Sequence, residues 1–390
     1  MASWLQRMFG ARAPEEKRSA VGRLMALTLQ GRPVWTPRNM AALAREGFAQ
    51  NPVGYRAARM IAEAAASVPL LLYEGERELT AHPLLGLLAR PNPAQGGQAL
   101  LETLFGHLQV AGNAYLEAVA IDGAVRELHA LRPDRMRLVP GPDGWPEGYD
   151  YSANGATHRF HQNAEPVRPI LHIKLFNPTD DHYGLSPLEA AAKSVDVHNA
   201  ANAWSKALLD NAARPSGALV YRSEDGGNLT EEQFQRLKQE LEASYQGHAN
   251  AGRPLVLEGG LDWKPLSLSP RDMEHTEARH MAAREIAFAF GVPPMLLGIP
   301  GDNTFANYAE ANRTFWRQTV LPLLSRTVEE LTGWLAPAFG KDLRLGFDVD
   351  RIEALAAERA ALWSRLGAAD FLSEDEKRAA VGYGPRLNSE

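Results

Sequence analysis

Residues 290–298 read Phe290-Gly291-Val292-Pro293-Pro294-Met295-Leu296-Leu297-Gly298. Glycine followed by two prolines stops a helix, because glycine tolerates the left-handed backbone that ends one and proline cannot continue one. Upstream, Met273–Phe290 carries a helical pattern that stops at this point. Downstream, a loop rich in Gly, Pro, Asp and Asn (Gly298–Asn303) leads into the longest helical pattern of the chain, about Phe305 to Leu335. The apolar pairs Phe315/Trp316, Thr319/Val320, Leu323/Leu324 and Val328/Leu331 keep the helical period on both sides of Pro322, where an interior proline predicts a kink.

Working backwards, Pro187 opens another long helix that runs to about Ala213, with Ser186 as its N-cap. Alanine dominates its less polar positions. Such a helix suits close packing of identical helices around a ring and equally suits an ordinary interior helix, and the residues leave both open. Between the two helices lies a small αβ module. Ala218–Arg222 reads as a strand, Thr230-Glu231-Glu232-Gln233 as a capping box, and Pro254–Leu257 with Leu261–Lys264 as a hairpin.

Residues 113–175 alternate short apolar segments with Gly/Pro/Asp turns and read as β-rich. Before them come a helix from Val53, a strand and hairpin at Leu70–Gly75, a short helix at His82–Leu88 and an amphipathic helix at Gln98–Val110. Residues 1–50, rich in Ala, Arg and Gly, read as a loosely ordered arm. After Val349 a helical hairpin is expected, with Phe371-Leu372 between its helices and Ser373 as an N-cap. The fold class is therefore α+β.

Composition narrows the chemistry. With 45% hydrophobic and 23% charged residues the 390-residue chain is not a disordered one, and it holds several sub-domains. It has no cysteine, which removes disulfides, thiolate metal sites and cysteine nucleophiles. No apolar run is long enough to span a bilayer. The N-terminus reads as a soluble terminus and not as a secretory signal. A membrane-surface helix through Trp4, Leu5, Met8 and Phe9 is the lesser reading, because Glu15 and Glu16 break its basic pattern. Residues 1–60 hold ten Lys and Arg against three Glu, a charge of +7, which leaves −13 for the rest of a chain whose total is −6. An acidic body opposes tight nucleic-acid binding, which draws on cationic side chains that displace counterions.

Catalytic patterns are thin. Neither a phosphate-binding P-loop nor a dinucleotide glycine motif is present. Gly184-Leu185-Ser186-Pro187 lacks the second glycine of a nucleophile elbow, and Pro187 has no N–H to serve an oxyanion hole. Glu274, His275, Glu277 and His280 form the best metal candidate, but histidines five apart on a helix diverge. Asp180-Asp181-His182 is a loop cluster, and His158, His161 and His172 fall on predicted strands or loops. All read as polar or packing residues, so neither a metal nor a cofactor is expected.

Several strings, taken in order, resemble the portal (head–tail connector) family of long-tailed phages. They are Gly112–Glu117 with Leu128–Pro133, Ile170–Lys174 leading into Tyr183–Leu188, and Phe290–Gly298, within a likeness that extends from about Asn51 to Pro385. The resemblance implies a portal fold: an N-terminal arm (1–50), a β-rich wing (51–185), a first stem helix (186–215), a clip (216–270) and a second stem helix (271–297). A tunnel loop (298–307), a long kinked helix returning to the wing (305–348) and a short crown (349–390) would follow. It also implies a non-enzymatic homododecameric ring at one capsid vertex, a channel for double-stranded DNA in packaging and ejection. Expected partners are the major capsid protein, the terminase large subunit and a head–tail adaptor, without stable membrane association. Such a ring would be assembled in the bacterial host cytoplasm and reside in the virion of a phage, a prophage or a gene transfer agent. On this reading Asp302, Asn303, Thr304 and Phe305 line the channel, Pro322 kinks the helix, and Tyr221, Glu224, Asp225, Glu258 and Trp263 belong to the clip's docking surface. The rival readings are a monomeric hydrolase using Ser186 or the His275/His280 region, and a peripheral membrane protein anchored by residues 1–30.

Overall fold

The computed structural model describes residues 34–142, 144–210, 217–221, 230–233, 235–236, 239, 261–265, 274–301 and 304–384. Two compact units divide the chain, Met1–Trp35 and Thr36–Glu390, and the elements below all belong to the second.

Helix α1 (Met40–Leu43) runs directly into a π-helical segment, Ala44–Ala49, and buries Ala42, Leu43 and Gly47. The expected arm over 1–50 is thus corrected at its end: these residues are structured because their small and apolar side chains have a core to cover. Gly47 packs closely there: a β-carbon would stand 2.5 Å from Leu188 Cδ1 and would force that side chain to shift. Helix α2 (Pro52–Ser67) starts on Asn51, whose side chain accepts from Val53 N and Gly54 N. It buries an alanine-rich face with Ile61 at its centre. Strands β1 (Leu70–Glu74) and β2 (Arg77–Glu78) form the expected hairpin, followed by α3 (Pro83–Ala89) and α4 (Gly97–Ala111). The buried face of α4, Leu101, Leu104, Phe105 and Leu108, packs on α2 in the main core.

Six strands follow: β3 (Asn113–Ile121), β4 (Ala124–Leu131), β5 (Met136–Pro140), β6 (Pro146–Ala153), β7 (Ala156–His161) and β8 (Ile170–Lys174). They make two antiparallel sheets, ordered β4-β3-β8 and β5-β6-β7. Alternation divides the residues of β3 between two cores. Ala114, Leu116 and Ala118 face the helices, and Tyr115 faces a second cluster with Leu131, Met136, Leu138, Tyr149, Phe160 and Ile170.

Helix α5 (Pro187–Ala190) and helix α6 (Ala192–Asp210) replace the single helix expected over 187–213. The backbone departs from helical angles at Ala191 (ψ 0°), although Ala191 N still bonds Pro187 O and Val195 N still bonds Ala191 O, and residues 211–213 lie outside the described residues. Ser186 is the N-cap, accepting from Glu189 N at 2.9 Å. Strands β9 (Gly217–Tyr221) and β10 (Leu261–Pro265) pair antiparallel, with Leu261 opposite Tyr221. The expected partner of the second strand, Pro254–Leu257, lies outside the described residues. Thr230 and Gln233 exchange the bonds of the expected capping box at 3.0 and 3.3 Å.

Helix α7 (Glu274–Ala289) leads through the turn at 290–298 to α8 (Phe305–Phe315), a π segment (Trp316–Val320) and α9 (Leu321–Phe339). The long helix therefore runs four residues past the expected Leu335. Its irregularity precedes Pro322: Leu321 N–H bonds the carbonyl of Trp316, five residues back. Pro322 follows this π turn directly; it has no N–H to make the next ladder bond, and the wider turn stands where its ring would meet the preceding carbonyls. Leu324, Val328, Leu331 and Leu335 then join the main core. Strand β11 (Leu343–Phe347) pairs with β1, Leu345 opposite Leu72, and so closes the core with residues 269 to 277 positions apart from those they meet. Helices α10 (Ala356–Gly367) and α11 (Glu374–Ala380) complete the chain, with Phe371-Leu372 between them and a full capping box on Ser373.

One node joins the strand subdomain to the helices. Gly112 ends α4 in the left-handed region (φ 69°), and its backbone touches that of Gly184 so closely that a β-carbon there would lie 2.6 Å from Gly184 O. Asn113 bridges the two segments. Its Nδ2 donates to Ala111 O (2.8 Å) and Gly184 O (3.2 Å), and its Oδ1 accepts from Gly184 N (2.8 Å) and His172 Nε2 (2.9 Å). The imidazole stacks on Tyr115 with ring centroids 4.3 Å apart, and its Nδ1 accepts from the Tyr149 hydroxyl at 3.2 Å. Burial, with Lys174 and His182 nearby, pushes His172 down to about 3, so the ring is neutral with its proton on Nε2.

Two outcomes follow for stability. Gly112→Ala forces both a strained backbone and a clash, and Asn113→Ala strands the Gly184 N–H and the imidazole; each is expected to lower unfolding free energy by about 3 kcal/mol, read by urea denaturation. His172, and His107, which burial pushes down to about 4, hold folded-state values below the unfolded one. The unfolded chain therefore takes up protons first, and stability present above about pH 6.5 falls by about 1.4 kcal/mol per pH unit per histidine as the pH drops towards 4. His172→Gln should remove one such increment from the slope, measured by denaturant midpoints between pH 7 and 4.5.

Candidate functional site

The turn between α7 and α8 is the most tightly specified loop among the described residues. Gly291 (φ 66°) ends α7 in a Schellman arrangement: Val292 N bonds Ala287 O at 2.9 Å and Gly291 N bonds Phe288 O at 2.9 Å. Phe290 and Val292 are buried on either side of it. Thr319, in the π segment, donates its hydroxyl to Gly291 O at 2.6 Å, which ties the turn to the irregular stretch of the long helix. Pro294–Leu297 forms one 3₁₀ turn that ends at Gly298, again left-handed (φ 71°). Ile299 is buried against Ala283 and Ala287 of α7. From α7 the Arg284 guanidinium donates to Pro300 O and holds the loop's far limb. An open groove of about 500 Å³ lies alongside, lined by Pro293, Met295, Ile299 and Pro300 on one side and by Asn307, Glu310 and Thr314 of α8 on the other.

Of the four channel candidates, Asp302 and Asn303 lie outside the described residues. Thr304 is the exposed N-cap of α8 and accepts from Asn307 N at 3.2 Å. Phe305 is the first residue of α8, so the expected loop 298–307 is three residues shorter at its end. Glu310 pairs with Arg313 at 2.5 Å one turn further on. The clip candidates are divided likewise. Tyr221 ends β9 and Trp263 stands in the middle of β10, opposite Leu219, whereas Glu224, Asp225 and Glu258 lie outside the described residues.

The other chemical candidates serve the fold. Ser186 is 2% exposed and committed to its cap, which leaves no nucleophile there. Asp180 Oδ1 accepts from His182 N (2.8 Å) and Tyr183 N (2.9 Å), contacts that hold its carboxyl below the usual range, and Lys174 donates to Asp181 O. This cluster folds the loop that delivers Gly184 to Asn113. His158 and His161 are exposed on β7. His280 lies on α7 at intermediate exposure, and the side chain of His275 lies outside the described residues. Among the described residues no three His, Asp or Glu side chains gather as a metal site would require, and no helix is long and apolar enough to cross a membrane.

Residue patterns missed the Asn113–His172–Gly184 node and the Thr319–Gly291 bond, because both join positions far apart in the chain. The Gly112-Asn113 pair at a helix end was the one available signal for the first.

Known proteins share this architecture. The sequence profile of the phage portal protein family matches residues 52–382. An uncharacterized protein of Rickettsia bellii (strain RML369-C) is 38% identical over 86% of this chain and 88% of its own. The portal protein of Enterobacteria phage HK97 is 27% identical over 85% of this chain and 78% of its own. Among solved structures, a chain from the neck of a native gene transfer agent (GTA) particle, computed with C12 symmetry, is 57% identical and superposes with a TM-score of 0.70, covering 91% of this chain and 96% of that one. A match that spans the strand subdomain, helices α6 and α7, the turn at 290–298 and the long helix leaves one conclusion: this chain belongs to the phage portal protein family.

Proposed function

We propose that twelve copies of this chain form a closed ring at one capsid vertex, and that double-stranded DNA is packed and released through the ring's centre. The observation that carries this reading is the likeness, at 57% identity over almost the whole chain, to a subunit of a GTA neck with C12 symmetry. The same relative favours a gene transfer particle over a phage. The family role is structural, not enzymatic, and it agrees with the engagement of Ser186 in capping a helix.

The loop at 298–304 serves as the channel's tunnel loop. Duplex in transit has to slide, so a dense cationic grip is a hindrance. Asp302 and Asn303 supply no cation, and Arg284, the nearest base on α7, is turned to the loop's own backbone at Pro300. The clip, 216–270, offers Tyr221, Glu224, Asp225, Glu258 and Trp263 first to the terminase large subunit and later to a head–tail adaptor. The major capsid protein surrounds the wing, and assembly takes place in the host cytoplasm before the ring is sealed into the particle.

Light scattering and native mass spectrometry of the purified protein should give a mass near twelve chains, with a central hole in negative-stain images; a strict monomer in isolation and in particles counts against the ring. Asp302→Lys should leave ring mass unchanged and lower the DNA packaged per particle several-fold, measured by nuclease-protected DNA. Full packaging by that variant removes the tunnel-loop assignment.

A further inference from the structure

A pocket of about 330 Å³ opens where the turn before β6, the segment between β7 and β8, and α9 come together. Its wall includes Trp145, Pro146, Tyr149, Gln162, Arg168 and Glu330. Hydrogen bonds to other parts of the fold fix this wall. Gly141 N donates to Trp145 O at 2.6 Å, the Tyr149 hydroxyl to His172 Nδ1 at 3.2 Å, and Trp334 Nε1 to Arg168 O at 2.7 Å. Gln162 Nε2 donates to Ile170 O at 3.2 Å, which orients the amide and leaves Oε1 as an acceptor. A wall held in this way does not have to be ordered by its occupant, so less binding energy is lost on ordering.

Three groups of the wall are uncommitted. Gln162 Oε1 is buried and has no hydrogen-bond partner among the described residues. Arg168 and Glu330 are exposed, and neither has an ion pair among the described residues. Other charges of the same region do not alter that balance. Asp150 and Arg159 are spent on each other at 2.7 and 2.8 Å, and Glu147, Glu165, Lys174, Arg326 and Glu329 stand outside the wall. Trp145, 70% exposed, adds an aromatic surface of the kind that carries much of the energy of protein contacts. A buried acceptor without a donor is unfavourable, and an occupant that brings an N–H removes that cost. A phosphate backbone brings none, and Glu330 repels it. One cation and one anion on the same wall complement an occupant that carries both signs. A polypeptide supplies all of this together: a main-chain N–H for Gln162, an acidic side chain for Arg168, a basic one for Glu330 and an apolar one against Trp145. We propose that this pocket is a docking site for an extended segment of a partner protein, in which an acidic and a basic side chain flank an apolar one.

The test titrates end-blocked synthetic peptides into the full-length protein by isothermal calorimetry, up to about 1 mM peptide. Mixed-charge peptides place Glu and Lys on either side of Leu or Pro, in both orders. Control peptides carry Glu on both sides or Lys on both sides. A mixed-charge peptide is expected to bind at least tenfold more tightly than either control. Arg168→Ala and Glu330→Gln, both at exposed positions, should each weaken it at least tenfold with an unchanged circular dichroism spectrum. Glu330→Lys should turn the preference towards the doubly acidic control, which damage to the fold would not do. Controls that bind as well as the mixed peptides, binding that these variants leave intact, or no binding by any peptide overturns the proposal. Displacement of the peptide by equimolar free glutamate or lysine makes this a small-molecule site and overturns the peptide occupant.

Discussion

The architecture hangs on the close approach of two glycine backbones, Gly112 and Gly184, with the Asn113 side chain bonded across them. Four hydrogen bonds use both donors and both acceptor positions of one amide. A fully satisfied buried amide has a single low-energy arrangement, because any shift of either segment strands a donor or an acceptor out of water. That single arrangement sets the position of β3 relative to the loop before α5, and therefore the direction in which α5 and α6 leave the strand subdomain. The neutral His172, clamped between Asn113 and Tyr149 and stacked on Tyr115, extends the same constraint into the second core.

A second constraint works at the end of α7. The chain must turn sharply after α7, cross the 3₁₀ segment and start α8. It does so with two left-handed glycines, a Schellman end, a buried Ile299 and the Arg284 bond to Pro300 O. The long helix meets this turn through Thr319, which stands in the π segment, and the wider π turn ends just before Pro322. The turn is thus tied both to α7, through Arg284, and to the long helix, through Thr319.

Electrostatics point the same way as mechanics. Beyond residue 60 the chain is acidic, and several of its interior arginines are spent on structure: Arg359 on Asp350 at 2.5 Å, Arg313 on Glu310, Arg284 on a carbonyl. Cations committed to the protein's own acceptors are not free to displace counterions from a polyanion.

Local signals in the sequence were enough for the helices and most of their ends. Ser186, Ser373, Thr230 and Gly291 act where their chemistry predicts, because caps and left-handed glycines depend on a few neighbouring residues. The strand subdomain was equally readable from alternation and turns. The order of the quoted strings pointed to the family for the same reason, since each string is a local device. Tertiary structure decided what depends on distant partners: that Met40–Ala49 folds onto the core, that β11 pairs with β1, that Thr319 bonds Gly291 O, and that Asn113 meets Gly184. Periodicity reports which face of a segment is buried but not what buries it, and such contacts come into being only when segments as much as 277 residues apart are brought together.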